Sequence, residues 1–130
     1  MKNKALTLTI DGTVVTVEWE NNDTVAALTE RVKAAPLMVQ MSMYGGFEQV
    51  GSLGASLPRH DQQTTTSSGD IVLYSGNQIV IFYGSNSWAY TRLGHISDKT
   101  QAEMRELLGE HDVTVTLSHN YIPYFMSSLS

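Results

Sequence analysis

The chain has 130 residues with 42% hydrophobic content, enough for one compact domain over residues 1–130, because a chain of this length buries well over half of its unfolded surface. Its 8 basic and 13 acidic residues give a net charge of -5 without a run of Lys or Arg, which argues against a nucleic-acid partner. The absence of cysteine excludes disulfides, thiolate nucleophiles and Cys-type zinc sites.

The first predicted element is a β-hairpin. Apolar and polar residues alternate over residues 6–10 and again over residues 15–19, on either side of Asp11-Gly12. An Asp-Gly pair between two alternating runs is typical of a tight hairpin turn.

A helix is predicted next. Asn22 or Asp23 can cap its N-terminus, and apolar residues recur at helical spacing over residues 25–35 until Pro36 prevents continuation. We expect this helix to cover one end of a barrel.

Two strands and a long polar connection are predicted after this helix. Residues 37–44 alternate as in a strand up to Gly45-Gly46, and residues 47–53 form a short fourth strand. Residues 54–68 are rich in Gln, Thr and Ser, which indicates a long, mobile connection.

The strongest strand signals form a central hairpin. Residues 70–74 and 78–83 are β-branched and aromatic, and Ser75, Gly76 and Asn77 join them. Both runs are nearly continuous in apolar residues, which favours strands covered on both faces.

The segment after this hairpin is predicted to be a surface loop over residues 85–92, followed by a short strand at residues 93–96. Ser97 or Asp98 is the expected N-cap of a second helix that ends at Gly109.

Residues 113–117 are predicted to form the closing strand, and residues 120–130 a tail whose Tyr121, Tyr124 and Phe125 pack back on the domain. Together the elements predict a mainly β fold, a closed β-barrel with two helices capping the ends.

No metal site and no catalytic residue are predicted. The four histidines are His60, His95, His111 and His119. The last two share one strand, but eight residues at about 3.3 Å each place them roughly 26 Å apart, too far for one ion. The sequence has no GxSxG elbow, and its GSLGAS stretch lacks the spacing of a phosphate-binding loop.

Trp88, Tyr90 and Arg92 are the first candidate site, because in an extended segment they share one side and combine amphipathic rings with a cation. The alternative interpretation is structural: the two rings cover a barrel end, and Arg92 pairs with a surface carboxylate.

A second candidate lies beside Gly45-Gly46, where a glycine turn would permit close approach of a ligand. Its residues are Met41, Met43, Tyr44, Phe47 and Glu48. Core packing also explains the methionines, and Glu48 with Tyr44 would form an acid–base pair only if its pKa were perturbed.

The strings GDI at 69–71, IFYG at 81–84 and LGHI at 93–96, in this order of elements, resemble the cyclophilin-like domains, in particular their small prokaryotic branch. True cyclophilins isomerise prolyl bonds with an arginine on a Phe-x-Arg strand and a Gln-x-Gly element. No Phe-x-Arg motif is present, and no arginine occurs between Arg31 and Arg59, so the catalytic arginine has no counterpart on the corresponding strand.

We therefore predict a non-catalytic binding module for a peptide or small molecule, with no cofactor. The expected ligand-binding residues are Met43, Phe47, Tyr83, Trp88, Tyr90 and Arg92. Two alternatives stay open: a prolyl isomerase in which Arg92 replaces the missing arginine, and a structural domain that forms oligomers through its aromatic segment.

No apolar run approaches the roughly 20 residues of a membrane-spanning helix, and residues 6–10 have a strand period rather than that of a secretory signal. We expect a cytoplasmic protein. A chain trimmed of its leader would look the same, so export stays an alternative.

Overall fold

A computed structural model describes residues 6–119, so the predicted tail at residues 120–130 lies outside the described residues. The helices are α1 (Asp23–Val32) and α2 (Gln101–Leu108). The strands are β1 (Leu6–Ile10), β2 (Thr13–Val15), β3 (Val17–Trp19), β4 (Leu37–Gln40), β5 (Ser42–Tyr44), β6 (Glu48–Ser52), β7 (Gln62–Thr65), β8 (Asp70–Tyr74), β9 (Gln78–Phe82), β10 (Ser87–Ile96) and β11 (Thr114–His119). Neither of these two helices has the length and apolar character needed to cross a membrane.

The strands pair antiparallel in two sheets. One sheet has the order β2-β1-β11-β4, and the other has the order β3-β10-β8-β9-β6-β5, with β7 paired to β10. The mainly β prediction is confirmed. The closed barrel is wrong, because the pairs that the described residues make leave both sheets open.

Two of the predicted strands are each interrupted at one residue. Thr16 separates β2 from β3, and its N–H donates to Asp98 Oδ1 at 3.1 Å instead of to a neighbouring strand. Met41 separates β4 from β5, and its N–H donates to Val113 O at 2.9 Å. The predicted continuous strands over 15–19 and 37–44 are therefore each two short strands, one in each sheet.

The main core contains side chains of both sheets and both helices, among them Leu8, Leu28, Ile71 and Met104. Along β8 and β9 the buried residues alternate between two clusters, as the period of a strand requires. One face of the larger sheet thus meets the main core. The other face, called the outer face here, carries a separate cluster of Val72, Val80, Phe82 and Tyr90, with Phe47 and Val50 packed against it.

The central hairpin is confirmed, including the burial of both faces of its strands. The caps of α1 and α2 explain where the two helices begin. Asn22 caps α1 as predicted, and its side chain accepts from Val25 N–H at 2.9 Å. The predicted N-cap of α2 is wrong: Thr100 caps it in a capping box with Glu103. Gly109 follows as its C-cap, as predicted.

The segment predicted as a surface loop is instead the first part of β10, the longest strand among residues 6–119. It pairs with β7, and Trp88 lies opposite Thr64 in this pair. β7 lies within the connection that was predicted to be mobile. The exposed Gln and Thr side chains of β7 have no apolar alternation that could have revealed a strand.

Candidate functional site: an aromatic groove on the outer sheet face

A groove of about 530 Å³ lies on the outer face of the larger sheet, above the outer cluster. We call it the aromatic groove. Its lining combines five aromatic rings with one carboxyl, two amides and one aliphatic side chain: Tyr44, Phe47, Glu48, Val50, Tyr74, Gln78, Asn86, Trp88 and Tyr90.

Strand register brings the groove's floor together. On β6, Glu48 lies opposite Phe82 and Val50 lies opposite Val80 of β9. Because alternate residues of a strand share a face, Glu48 and Val50 face the groove while Gln49 faces the main core. The carboxyl thus lies beside the apolar cluster.

The position of Phe47 is fixed by backbone hydrogen bonds. Its N–H donates to Tyr44 O at 3.3 Å, and its carbonyl accepts from the N–H groups of Tyr83 and Gly84, each at 3.0 Å. Its ring lies nearly parallel to that of Phe82, with centroids 6.5 Å apart, and edge-on to that of Tyr44 at 6.2 Å. These contacts make a rigid aromatic wall.

Gly45 makes room for this wall. It has a φ of +66°, and a Cβ there would lie 2.2 Å from the Phe47 ring. The glycine turn was predicted to permit close approach of a ligand, but at Gly45 the space is filled by the Phe47 ring.

Tyr90 and Trp88 lie on the opposite side of the groove, on β10. Tyr90 is buried, with its ring against those of Phe82 at 5.7 Å and Tyr74 at 6.2 Å, and its hydroxyl accepts from Asn86 Nδ2 at 2.8 Å. Burial raises the pKa of Tyr90, and Glu48 and Tyr74 raise it further, against the Asn86 hydrogen bond. Trp88, in contrast, is 56% exposed and free to contact a ligand.

Glu48 is the one acidic residue of the lining. It is only 7% exposed, and its carboxyl makes no hydrogen bond or ion pair within residues 6–119. Burial raises its pKa from 4.5 to about 7, because the desolvated carboxylate is disfavoured. Such a group can hold a cation or exchange a proton at neutral pH.

The structure brings three of the six predicted ligand-binding residues into this groove: Phe47, Trp88 and Tyr90. Tyr83 is 3% exposed and belongs to the main core. Met43 lies on β5 outside the lining.

Arg92 also lies outside the lining, because Asp70 holds it. The register of β10 against β8 shifts between Arg92 and Gly94, so that Arg92 and His95 reach one carboxylate. Arg92 Nη1 lies 3.4 Å and His95 Nδ1 2.8 Å from the two oxygens of buried Asp70. This agrees with the structural interpretation of Arg92, except that its partner is buried.

The structure brings parts of the two predicted candidate sites together, while Met41 of the second lies in the main core. Tyr44, Phe47 and Glu48 of the second candidate face Trp88 and Tyr90 of the first across the same groove. Sequence reasoning missed the groove residues Val50, Tyr74, Gln78 and Asn86. The signal for Tyr74 and Gln78 was present, because they flank the predicted hairpin turn and must pair with each other.

Another depression, of about 560 Å³, lies along α2. Its lining has no aromatic ring: Gln101, Ala102, Arg105, Glu106, Gly109 and Glu110. Small-molecule sites are mostly apolar and aromatic, which favours the aromatic groove. Within residues 6–119, no three His, Asp or Glu side chains are grouped to hold a metal ion.

A sequence model described as a cyclophilin-like family matches residues 8–118. A search of curated proteins finds no match to the chain.

Two solved structures share the fold. McbB, solved in complex with tryptophan, has a TM-score of 0.63 and 11% identity, and the match covers 91% of this chain and 45% of McbB. The chain thus spans less than half of McbB. The hypothetical protein AF2241 from Archaeoglobus fulgidus has a TM-score of 0.63 and 17% identity over 92% of this chain and 99% of AF2241. At these identities the likeness shows the fold alone.

Proposed function

The chain belongs to the cyclophilin-like family, and we propose that its aromatic groove binds a small organic molecule or a short peptide without catalysing a reaction on it. The observation that carries this proposal is the outer cluster, which gives an apolar floor and aromatic rings to the face of the larger sheet opposite the main core. Two of these rings, Tyr44 and Trp88, are exposed to solvent and add little to packing, which favours a binding role for this face.

The dimensions and the lining of the groove support a ligand. Its volume of about 530 Å³ is in the range of small-molecule sites, which are mainly apolar with a few placed polar groups. Tyr44 and Trp88 are exposed beside this floor, and large aromatic side chains dominate the energetics of many binding surfaces.

McbB supports the small-molecule form of the proposal. Its structure holds tryptophan, so a protein that shares this fold binds a small aromatic compound. The likeness to McbB supports the proposal only through the shared fold. The argument that this chain binds a ligand depends on the residues of its aromatic groove.

Prolyl isomerisation is the less supported alternative. The resemblance requires a cation beside the prolyl amide, whose rotation barrier is about 20 kcal/mol. Arg92 was the candidate, but its guanidinium is held by Asp70 and lies outside the groove lining. A protease-coupled prolyl isomerisation assay beside an Arg92→Ala variant checks this. Activity above background that the variant loses would replace the binding proposal.

A structural role through self-association is the third possibility, since Tyr44 and Trp88 would also suit burial against a second copy. Sedimentation of the wild type and of a Trp88→Ala variant checks it. A stable dimer that only the wild type forms would favour that role.

The binding proposal is tested by Trp88 fluorescence in a screen of small aromatic compounds and short peptides. Trp19, the other tryptophan, is buried, and its indole N–H donates to Leu6 O at 2.9 Å, so a ligand-dependent change reports Trp88. We expect hits whose signal is lost in Trp88→Phe and whose affinity, measured by calorimetry, falls in Phe47→Ala. Hits that bind both variants as tightly as wild type would contradict the groove as the site.

A further inference from the structure

The aromatic groove contains a negative charge that the described chain does not balance. Glu48 is buried against rings and makes no hydrogen bond or ion pair within residues 6–119. Its oxygens are not fully enclosed, so they face the open groove, where a charge in an apolar setting is stabilised by a partner.

No cation of the described chain is placed to supply that partner. The nine lining residues include no Lys, Arg or His. The basic groups nearest along β10, Arg92 and His95, are both held by Asp70. Within residues 6–119 the groove therefore has an acceptor and lacks a positively charged donor.

The walls of the groove suit a cation as well. Tyr44 on β5 and Phe47 just before β6 line one end of the groove, and Tyr74, Trp88 and Tyr90 line it from β8 and β10, beyond β9 in the sheet. An ammonium group within about 6 Å of such ring faces is attracted by their quadrupoles, most strongly by tryptophan. Aromatic cages with a carboxylate are suited to amines.

We propose that the ligand of the aromatic groove is a small amine whose ammonium group binds the Glu48 carboxylate and whose apolar body lies on the rings of Phe47, Trp88 and Tyr90. This inference rests on the proposed function, because it names the chemical class of the ligand for the same site. A free amine is favoured over a lysine in a protein chain, because the groove of about 530 Å³ has the volume of a small-molecule site.

The charge state of Glu48 makes the binding pH-dependent. The other titratable groups of the lining are Tyr44 on β5, Tyr74 on β8 and Tyr90 on β10, and no further charged side chain faces the carboxyl there. Glu48 has a pKa of about 7, so it is mostly protonated at pH 6 and mostly ionised at pH 8. Amine binding is therefore stronger at pH 8.

The test compares three probes of similar shape by isothermal titration calorimetry: 2-phenylethylamine, neutral 2-phenylethanol and anionic 3-phenylpropionate. At pH 8 we expect the amine to bind wild type roughly 10–100-fold more tightly than the alcohol, the usual gain of a charge-assisted hydrogen bond. Between pH 8 and pH 6 its affinity falls roughly tenfold, following the ionised fraction of Glu48.

Glu48→Gln keeps the shape of the side chain and removes its charge. In this variant we expect amine and alcohol to bind alike at both pH values. Glu106→Gln on α2 removes the same charge outside the groove and retains the wild-type preference.

The outcomes separate the two proposals. If amine and alcohol bind wild type equally, or the amine binds better at pH 6, the ammonium inference is overturned while the groove remains a binding site. If the lysine tripeptide acetyl-Gly-Lys-Gly-amide binds more tightly than 2-phenylethylamine, the free-amine inference is overturned. If no probe binds and Trp88 fluorescence does not respond, both the inference and the proposed function fail.

Discussion

Glu48 and Gln49 are neighbours on β6 whose side chains face opposite sides of the sheet. Glu48 faces the aromatic groove without a partner, whereas Gln49 faces the main core with three. The two side chains therefore give different predictions for stability.

Glu48 should make the protein less stable as the pH rises. Its pKa is about 7 in the folded state and close to its ordinary 4.5 in the unfolded state, so folding takes up a proton between these values. The free energy of unfolding then falls from about pH 4.5 to about pH 7, by at most about 3.5 kcal/mol at about 1.4 kcal/mol per pKa unit.

Chemical denaturation of wild type and Glu48→Gln at pH 5 and pH 8 measures this contribution. The difference between the two proteins isolates Glu48, because the carboxyls whose pKa is lowered, such as those of Asp61 and Asp98, are common to both. We expect the variant to gain stability relative to wild type as the pH rises. A constant difference would show that Glu48 ionises as it does in water.

Gln49 ties β6 to the segment between α2 and β11. Its Nε2 donates to Leu108 O and His111 O, both at 2.7 Å, and its Oε1 accepts from Val113 N–H at 3.4 Å. Gln49→Leu leaves these backbone groups without that partner. Because each buried unpaired group costs about 1–3 kcal/mol, we expect a loss of roughly 2–4 kcal/mol in the free energy of unfolding.

Gln63→Leu is the matched control for Gln49→Leu, since it makes the same change at an exposed position of β7. It should shift the free energy of unfolding by less than about 0.5 kcal/mol. Equal losses in both variants would contradict the hydrogen-bonding role of Gln49.

At the level of single residues, three aromatic residues of the groove could be identified from the sequence, whereas the burial of Glu48 beside them could not. Phe47, Trp88 and Tyr90 stand out because large rings in a polar setting are unusual. The burial of Glu48 was not readable, because it depends on the pairing of Glu48 with Phe82, thirty-four positions along the chain. Long-range register has no local sequence signal.

The turn between β5 and β6 determines where the Phe47 wall stands. Gly45→Ala would set a Cβ 2.2 Å from the Phe47 ring as well as straining a φ of +66°. We expect the ring to move off Phe82, with a loss of about 2 kcal/mol or more in stability, since strain and overpacking each cost about 1–3 kcal/mol. Weaker binding of a groove ligand should accompany it, measured by calorimetry.

Gly46→Ala separates the two causes. Gly46 also has a positive φ, +72°, but nothing lies within 4 Å of a Cβ there. This variant should show the backbone strain without the displacement of Phe47, and so keep ligand affinity. If both variants lose affinity equally, the steric role of Gly45 is wrong.

Strand β10 shows why elements were predicted unevenly. The central hairpin was predicted correctly because its apolar runs and its turn residues agree. The strand at residues 87–92 was not predicted. Its aromatic side chains line the groove, and its backbone pairs with β7, whose side chains are polar. Such a strand lacks the simple alternation that sequence reasoning depends on.

At the scale of the molecule, the order of elements was predicted well and the closure of the sheet was not. At Thr16 and Met41 the chain passes from one sheet to the other. The N–H of Thr16 donates to Asp98 Oδ1, and that of Met41 donates to Val113 O in the register of the β4–β11 pair. The alternation of residues that is typical of a strand continues without a break through Thr16 and Met41. It therefore predicts one strand at each place where the structure has two.

The shared core leads to a prediction about unfolding. Side chains of both sheets and both helices meet in one cluster, and Trp19 of the larger sheet donates to Leu6 O of the smaller one. We expect residues 6–119 to unfold as one cooperative unit, as the single-domain prediction requires. In Trp88→Phe, Trp19 fluorescence and far-ultraviolet circular dichroism should have the same denaturation midpoint. Two separate midpoints would mean that the sheets unfold independently.

The two faces of the larger sheet carry separate clusters of buried residues. Ile71, Leu73, Ile79 and Ile81 point into the main core, while the intervening residues support the aromatic groove. Substitutions at exposed groove positions such as Tyr44 and Trp88 remove little buried area from the main core. If the groove binds a ligand as proposed, its exposed residues can therefore be exchanged, and the ligand changed with them, while the main core stays the same.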